Sequence, residues 1–161
     1  MPAITALLHT TNAALRLGRA LETLLPCTEI LILDHDSSDS TLRVARDYGA
    51  RIVLPHDQVP PNHYLERARC DWILCLAPSE SLSEGLQATL FEWSLLPEAS
   101  VAGSSSFSLR VREQTGENWR TVAPPETRLI PRTWTLWNGL APAHDPSSIA
   151  LVGELLRLPY P

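Results

Sequence analysis

Lysine is absent from this chain of 161 residues: all thirteen basic residues are arginine, set against eighteen Asp and Glu, for a net charge of −5. A protein that binds nucleic acid without regard to sequence, or that rests on anionic lipid, needs a basic face to release counterions or meet headgroups. The composition supplies no such face, so nucleic acid is not expected as a partner. The exclusive use of Arg reads first as the bias of a GC-rich genome, before selection for bidentate anion contacts. Cysteine is scarce and odd in number (Cys27, Cys70, Cys75), with no C-x-x-C pair, so neither a disulfide framework nor a zinc knuckle is suggested and a reducing cytoplasm fits. No stretch reaches the roughly 18 apolar residues of a spanning helix, and the opening MPAITALLHTTN lacks the basic n-region of a signal peptide. Glycine is sparse too. Neither G-x-G-x-x-G nor G-x-x-x-x-G-K-[ST] follows any predicted strand, which disfavours the dinucleotide and P-loop classes.

What is present is a core former. With 44% hydrophobic and 19% charged residues, the chain can bury one sizeable core and is short for two domains, so a single domain over 1–161 is expected. Residues 3–8 form an apolar run, and Thr10, Thr11 and Asn12 offer capping oxygens to a helix carrying Ala14, Leu17, Leu21 and Leu24. Residues 29–33 predict a second strand, followed by DHDSSDST and a helix with Leu42, Ala45 and Tyr48 on one face and Gly49 as its stop. Residues 51–54 predict a third strand, about 62–69 a helix, and 72–76 a fourth strand ending in Ala77, Pro78, Ser79 and Glu80. A helix with Leu86, Leu90 and Trp93 follows, capped from Ser81 with Glu84 or from Ser83.

Strand and helix thus alternate to residue 95, which predicts an α/β fold with a mostly parallel sheet covered on both faces. Beyond residue 96 the pattern turns to β. Residues 104–123 alternate around Thr115 and Gly116 as a hairpin, and ETRLI and ALVGELLRL read as extended pieces in a tail rich in Pro and Trp. The two stretches are expected to form a βα half (1–95) and a shorter β-rich half (96–161).

In open α/β sheets, ligands bind at the carboxyl ends of the strands. That rule selects His9 and Thr10, Asp34 to Asp39, and Ala77 to Glu80. Asp34 can accept hydrogen bonds from a nucleobase or ribose, or can simply be satisfied by the turn that follows it. Asp36 and Asp39 precede a helix, where Asp commonly caps. His9 and His35 enter the rim from neighbouring strands and, with Asp36 and Glu80, could hold Zn²⁺, or could be ordinary hydrogen-bonded residues.

The order T10-x-N12, ILILDHDSSDST, ARDYGARIV, N62-x-x-L65-x-x-A68-x-x-D71-W72 and LAPSESLSEGL resembles the family 2 glycosyltransferases of the GT-A fold, a Rossmann-like three-layer α/β/α architecture. The likeness is greatest to the branch that builds lipopolysaccharide core and other surface glycans. It covers about 1–90 without a gap and thins downstream to T127-R128-L129-I130 and His144-Asp145. It implies a nucleotide-sugar donor, UDP- or GDP-linked, and inverting sugar transfer, and it would make 1–95 the nucleotide-binding half and 96–161 the shortened acceptor-side half. It implies nucleotide contacts from Thr10, Asn12, Asp34, Asp36 and Asp39, and catalytic roles for Glu80 and Asp145. Asn62 would hold a loop. Cytoplasmic or peripheral inner-membrane placement, a homodimer, or a partner glycosyltransferase would fit that setting.

The departures are concentrated at one place. The family's D-x-D, which holds Mg²⁺ or Mn²⁺ against the diphosphate, falls on Ala77, Pro78 and Ser79. The acid of T-x-N-E is Ala13, the Arg before Asn62 is Pro61, and the Gly of S-T-D-G-T is Ser40. Two expectations therefore stand: a glycosyltransferase-like enzyme whose activity is impaired or lost, and a non-catalytic GT-A binding or assembly module. His144-Asp145 could supply a base for the acceptor hydroxyl or be a solvated turn. Trp119, Trp134 and Trp137 could stack on a sugar, meet a membrane surface or pack in the core. Arg128 could meet a diphosphate in place of metal or face outward.

Overall fold

A computed structural model describes residues 1–56 and 58–159. The first half alternates as predicted: β1 (Ile4–Thr10), α1 (Ala14–Glu22), β2 (Glu29–Asp34), α2 (Thr41–Asp47), β3 (Arg51–Val53), α3 (Pro61–Leu65) and β4 (Trp72–Cys75). There follow β5 (Glu80–Leu82), α4 (Glu84–Ser94), α5 (Glu98–Val101), β6 (Phe107–Thr115), β7 (Asn118–Pro131), β8 (Trp137–Asn138), β9 (Ala141–Pro142) and β10 (Ile149–Arg157). One sheet runs in the order β3-β2-β1-β4-β7-β6-β10-β5, and β8 and β9 form a separate small ribbon. The strands β3, β2, β1 and β4 are mutually parallel. From β7 onward the sheet is mixed: β7 is antiparallel to β4 and β6, and β6 is parallel to β10.

Strand alternation sorts the core onto two faces. Ile4, Ala6, Leu8, Ile32 and Leu74 pack with Leu17 and Leu21 of α1, Ala45 of α2 and Leu86 and Leu90 of α4. Leu7, Leu31, Leu33 and Ile73 face the other way, against Tyr64 and Leu65 of α3 and against Trp134. These two faces make three layers, the second covered more thinly than the first. Trp72, Trp93 and Phe107 meet edge to face with ring centroids 5.4–5.5 Å apart, joining β4, α4 and β6. Among the described residues no helix is long and apolar enough to cross a membrane.

Local chemistry moved several boundaries. The cap of α1 is Ala13, which has no capping side chain, and the hydroxyl of Thr41 and the carboxylate of Asp39 on the α2 side accept from Ala13 N–H and Ala14 N–H instead. Ser83 caps α4, its Oγ accepting from Leu86 N–H at 3.1 Å. Helix α3 is shorter than its pattern suggests, and β5 is an additional strand. Strand β5 exists because β10 returns to pair with it, Leu155 opposite Leu82 and Arg157 opposite Glu80. The predicted hairpin is present, with Thr115 opposite Asn118 across Gly116 at φ +64°.

Where α4 crosses β10, the approach is close enough to require glycine. Gly153 has φ +110°, and a Cβ there would lie 2.6 Å from the Leu86 backbone. Gly153→Ala should therefore combine backbone strain with overpacking and cost about 3 kcal/mol, read as a lowered midpoint in urea unfolding, whereas Gly116→Ala, with no neighbour within 4 Å, should lose only its turn preference.

Candidate functional site

The carboxyl ends of β1, β2 and β4 carry the predicted residues to one edge, where most of them are bonded to one another. Thr10 lies opposite Asp34 across the parallel pair. Its hydroxyl donates to Asp34 Oδ1 at 2.7 Å, the Ser37 hydroxyl donates to the same oxygen at 2.6 Å, and Ser37 N–H donates to Oδ2 at 2.9 Å. Asp34 is only 2% exposed. Burial alone would push its carboxyl up, but the Ser37 and Thr10 donors pull it below the ordinary carboxylate range.

Asn12, at φ +46°, turns the chain into α1. Its Oδ1 accepts from Ser38 N–H at 2.8 Å and Asp39 N–H at 3.3 Å, while its own N–H donates to Ser37 Oγ at 2.9 Å. Asp39 accepts from Thr41 N–H at 2.9 Å, from the Thr41 hydroxyl, and from Ala14 N–H at 3.2 Å. Asp39 thus caps α2 and α1 together, and its carboxyl is held low by the Thr41 hydroxyl. Asp36 is exposed at φ +57°.

Glu80 is 1% exposed and sits inside a cluster of charges. Arg128 reaches it with both terminal nitrogens, Nη1 to Oε1 at 2.7 Å and Nη2 to Oε2 at 2.8 Å. Arg157 donates to Oε2 from Nε at 3.2 Å and Nη2 at 3.1 Å, and Ala77 N–H donates to Oε1 at 2.7 Å. Glu126 accepts from both arginines, at 2.9 Å and 3.0 Å. Arg128 also donates to the carbonyl of Cys75 at 3.1 Å. Burial would raise the Glu80 carboxyl, but the charge and hydrogen bonds of Arg128 win and lower it; burial would likewise lower the Arg128 guanidinium, which Glu80 raises instead. Arg157 was not singled out in the sequence, and the signal for it lay in the alternation of ALVGELLRL, where Leu155 and Arg157 share a face.

Asp145 lies elsewhere, joining the starts of β6 and β10. The hydroxyls of Ser105 and Ser106 donate to its Oδ2 at 2.6 and 2.7 Å, and Ser147 donates its N–H and hydroxyl to Oδ1 at 2.9 and 2.7 Å. The Ser105, Ser106 and Ser147 hydroxyls depress its carboxyl strongly. A carboxylate stabilised in this way is a weak base. Asn62 lines a separate hollow with Glu66 and Arg132. Trp134 is buried, Trp137 packs on the same core, and Trp119 lies under the Arg112 guanidinium, 5.6 Å from its ring centroid.

Two cavities open at this edge. One of about 430 Å³ is lined by Cys75, Leu76, Ala77, the Glu80–Arg128–Arg157 cluster and the β8–β9 ribbon. The other, of about 360 Å³, is lined by His9, His35, His56, Gln58 and Tyr64. His9 and Leu140 border both. His9 Nδ1 and His35 Nε2 share a hydrogen bond at 2.8 Å, with ring centroids 5.1 Å apart and planes 30° apart. Burial, then the His35 charge, lowers His9 from 6.5 to about 4. His56 was missed in the sequence although a pattern marked it: a histidine lies within three residues of the carboxyl end of each of β1, β2 and β3.

The divalent ion implied by the resemblance does not suit these donors. Mg²⁺ and Mn²⁺ favour several oxygen ligands. Ala77 presents a methyl group, the Ser79 carbonyl accepts from Leu158 N–H at 2.8 Å, and both Glu80 oxygens are filled by nitrogen donors. His9 and His35 do meet, but Asp36 and Glu80 do not join them as a zinc set. Among the described residues no group of three or more His, Cys, Asp or Glu is arranged to hold a metal ion.

Removing Glu80 alone leaves two guanidiniums without their central anion, so Glu80→Ala should cost about 3–5 kcal/mol; the double variant Glu80→Leu, Arg128→Met should recover much of that loss in thermal unfolding. The depressed carboxyls of Asp34, Glu80 and Asp145 fix the acid behaviour. Because their folded-state values lie below the unfolded ones, their stabilisation is complete above about pH 5 and is lost as pH falls through the ordinary carboxylate range toward the depressed values. Asp145→Asn should therefore flatten the acid limb of a stability curve relative to the parent.

No family model matches the chain. It is 29% identical over 91 residues to an uncharacterized glycosyltransferase of Rickettsia prowazekii, covering 54% of this chain and 31% of that protein. It is 31% identical over 91 residues to one of Rickettsia felis, covering 54% and 32%. The chain thus spans about a third of the length of the curated relatives it matches. Among solved structures it resembles S. aureus TarS, with a TM-score of 0.51 at 16% identity over 74% of this chain and 23% of that one. It also resembles the TarS fragment 1–349, with a TM-score of 0.53 at 17% identity over 76% and 38%. That fragment in complex with UDP gives a TM-score of 0.51 at 16% identity over 72% and 37%. At such identities the structural likeness is one of fold: the chain has a GT-A-type α/β fold like that of TarS, and over about half of its length it is similar in sequence to proteins named as glycosyltransferases.

Proposed function

We propose that this chain is a family 2-type GT-A domain that keeps a nucleotide-facing rim but does not transfer sugar, and that it serves cell-surface glycan synthesis as a binding or assembly module beside an active glycosyltransferase. One observation carries the loss of transfer: the carboxylates at the expected metal and base positions are absent or already engaged. Two D-x-D positions are Ala77 and Ser79, Glu80 is enclosed by Arg128 and Arg157, and Asp145 is held by three serines. The inverting transfer implied by the resemblance needs a carboxylate free to take the acceptor proton and a cation to receive the diphosphate. Nucleotide recognition is supported by the fold shared with a TarS fragment crystallised with UDP. The glycosyltransferase names of the sequence relatives favour the alternative, active transfer with Glu80 or Asp145 as base.

Turnover separates the two. Incubated with UDP- and GDP-sugars and Mn²⁺, the parent should release no nucleotide above the buffer control, and release that disappears in Glu80→Gln or Asp145→Asn would establish the active reading. Ala77 lines the larger cavity, so Ala77→Asp with Ser79→Asp should create Mn²⁺-dependent UDP or GDP binding that the parent lacks. Failure of the doubly substituted protein to bind metal with nucleotide present would remove the inherited site from the argument.

A further inference from the structure

We propose that the outer edge of β7 between Asn118 and Val122 is a docking strip for an extended acidic segment of a partner protein, which adds to the sheet as a further strand and sets a carboxylate opposite Arg120. The strip gives the assembly role a contact surface and does not depend on the loss of sugar transfer.

Strand β7 runs well past its neighbour on one side. β4 pairs with it only from Leu129 to Pro131, whereas β6 pairs with it on the other side as far as Thr115 opposite Asn118. Asn118 to Thr121 are exposed and Val122 is half-buried. The two-residue turn at Gly116 and Glu117 fixes which backbone groups are spent. Asn118, Arg120 and Val122 turn their N–H and C=O toward β6, so those of Trp119 and Thr121 point the opposite way. Among the described residues no other segment bonds to them. The register with β6 is unbroken from Val122 to Asn118, so neither a bulge nor a proline blunts this length of edge. Pro124 and Pro125, which carry no N–H, lie just past its far end.

Charge selects the occupant. A row of alternating sign crosses four strands: Glu80 lies opposite Arg157, Arg157 opposite Glu113, and Glu113 opposite Arg120. The ion pairs along it measure 3.1, 3.8 and 2.6 Å. The row ends on a cation at the open edge, where the Arg120 side chain is 66% exposed. A strand added there continues the alternation with a carboxylate, since opposite charges directly across a pair attract and like charges repel. A second copy of this chain does not supply one. Pairing of two such edges about a two-fold axis sets Arg120 opposite Asn118, Arg120, Val122 or Pro124 of the other chain, and none of these is acidic.

Fluorescence anisotropy of the intact chain with labelled strand peptides tests this directly. One probe is a short peptide of alternating Thr and Val with Glu at its centre, and the other is the same peptide with Lys at its centre. The Glu peptide should bind, and the Lys peptide should bind about threefold to thirtyfold more weakly. Thr121→Pro removes an outward N–H and leaves the bonds to β6 in place, so it should weaken the Glu peptide by at least about tenfold. Arg120→Glu should reverse the preference between the two peptides without altering the backbone, which keeps the test intact if the proline variant does not fold. No binding of the Glu peptide at millimolar concentration, equal binding of both peptides, or binding that survives Thr121→Pro in a folded variant would each overturn the inference. Sedimentation of the parent as a dimer that Thr121→Pro converts to a monomer would give the edge to a second copy and overturn it as well. Sugar turnover in the separate assay would defeat the non-catalytic reading and leave this edge untouched, so the two failures are distinguishable.

Discussion

The two-pronged contact between Arg128 and Glu80 is the constraint around which the carboxyl edge of this sheet is arranged. Glu80 comes from the start of β5, just past the turn after β4, Arg128 from β7 and Arg157 from β10. None of the three can be buried alone, since an unpaired charge in that position would carry a desolvation cost of several kcal/mol. Paired, they draw the end of β4 and the two later strands to one point and leave the cavity beside them electrically quiet. In a related site carrying two aspartates at positions 77 and 79, a metal ion would have to supply the positive charge. Here the protein supplies it from its own side chains, which makes the arrangement stable in the absence of any ligand.

The same self-sufficiency marks the other edge positions. Asp34, Asn12 and Asp39 link the loop after β1 to the loop after β2, and their oxygens are spent on backbone N–H groups and hydroxyls. Asp145 does the equivalent work for β6 and β10. A rim built in this way is tied together by its own side chains, and of the three aspartates at and after the end of β2 only Asp36 stays exposed and outside the network.

Much of this was legible in the sequence because the first half obeys local rules. Apolar runs of strand length, capping residues and Gly49 placed the elements through α4, and the GT-A likeness followed from motifs within about 1–90. What the sequence hid depends on contacts made at long range. Strand β5 has only three residues and is defined by β10, more than seventy residues later. The choice between a ligand-facing and a turn-satisfied Asp34 depended on the direction of the Ser37 and Thr10 hydroxyls, which no spacing reveals. The fate of Glu80 likewise depended on Arg157, a residue in a strand whose partner could not be read from its own pattern. Capping of α1 by the α2 loop is the same kind of case, a local signal overridden by a neighbour in space.

The Ser83 hydroxyl carries a consequence for the order in which the molecule assembles. It accepts both from Leu86 N–H, at the start of α4, and from Glu154 N–H in β10. Ser83 N–H in turn donates to the Glu154 carbonyl at 3.0 Å. A nascent chain that has emerged only through α4 therefore lacks the partner of β5, the second acceptor duty of Ser83 and both arginines of Glu80. Completion of the edge waits for β10, so a chain ending before residue 149 would leave Glu80 with Arg128 but without Arg157, and α4 without the strand it packs on.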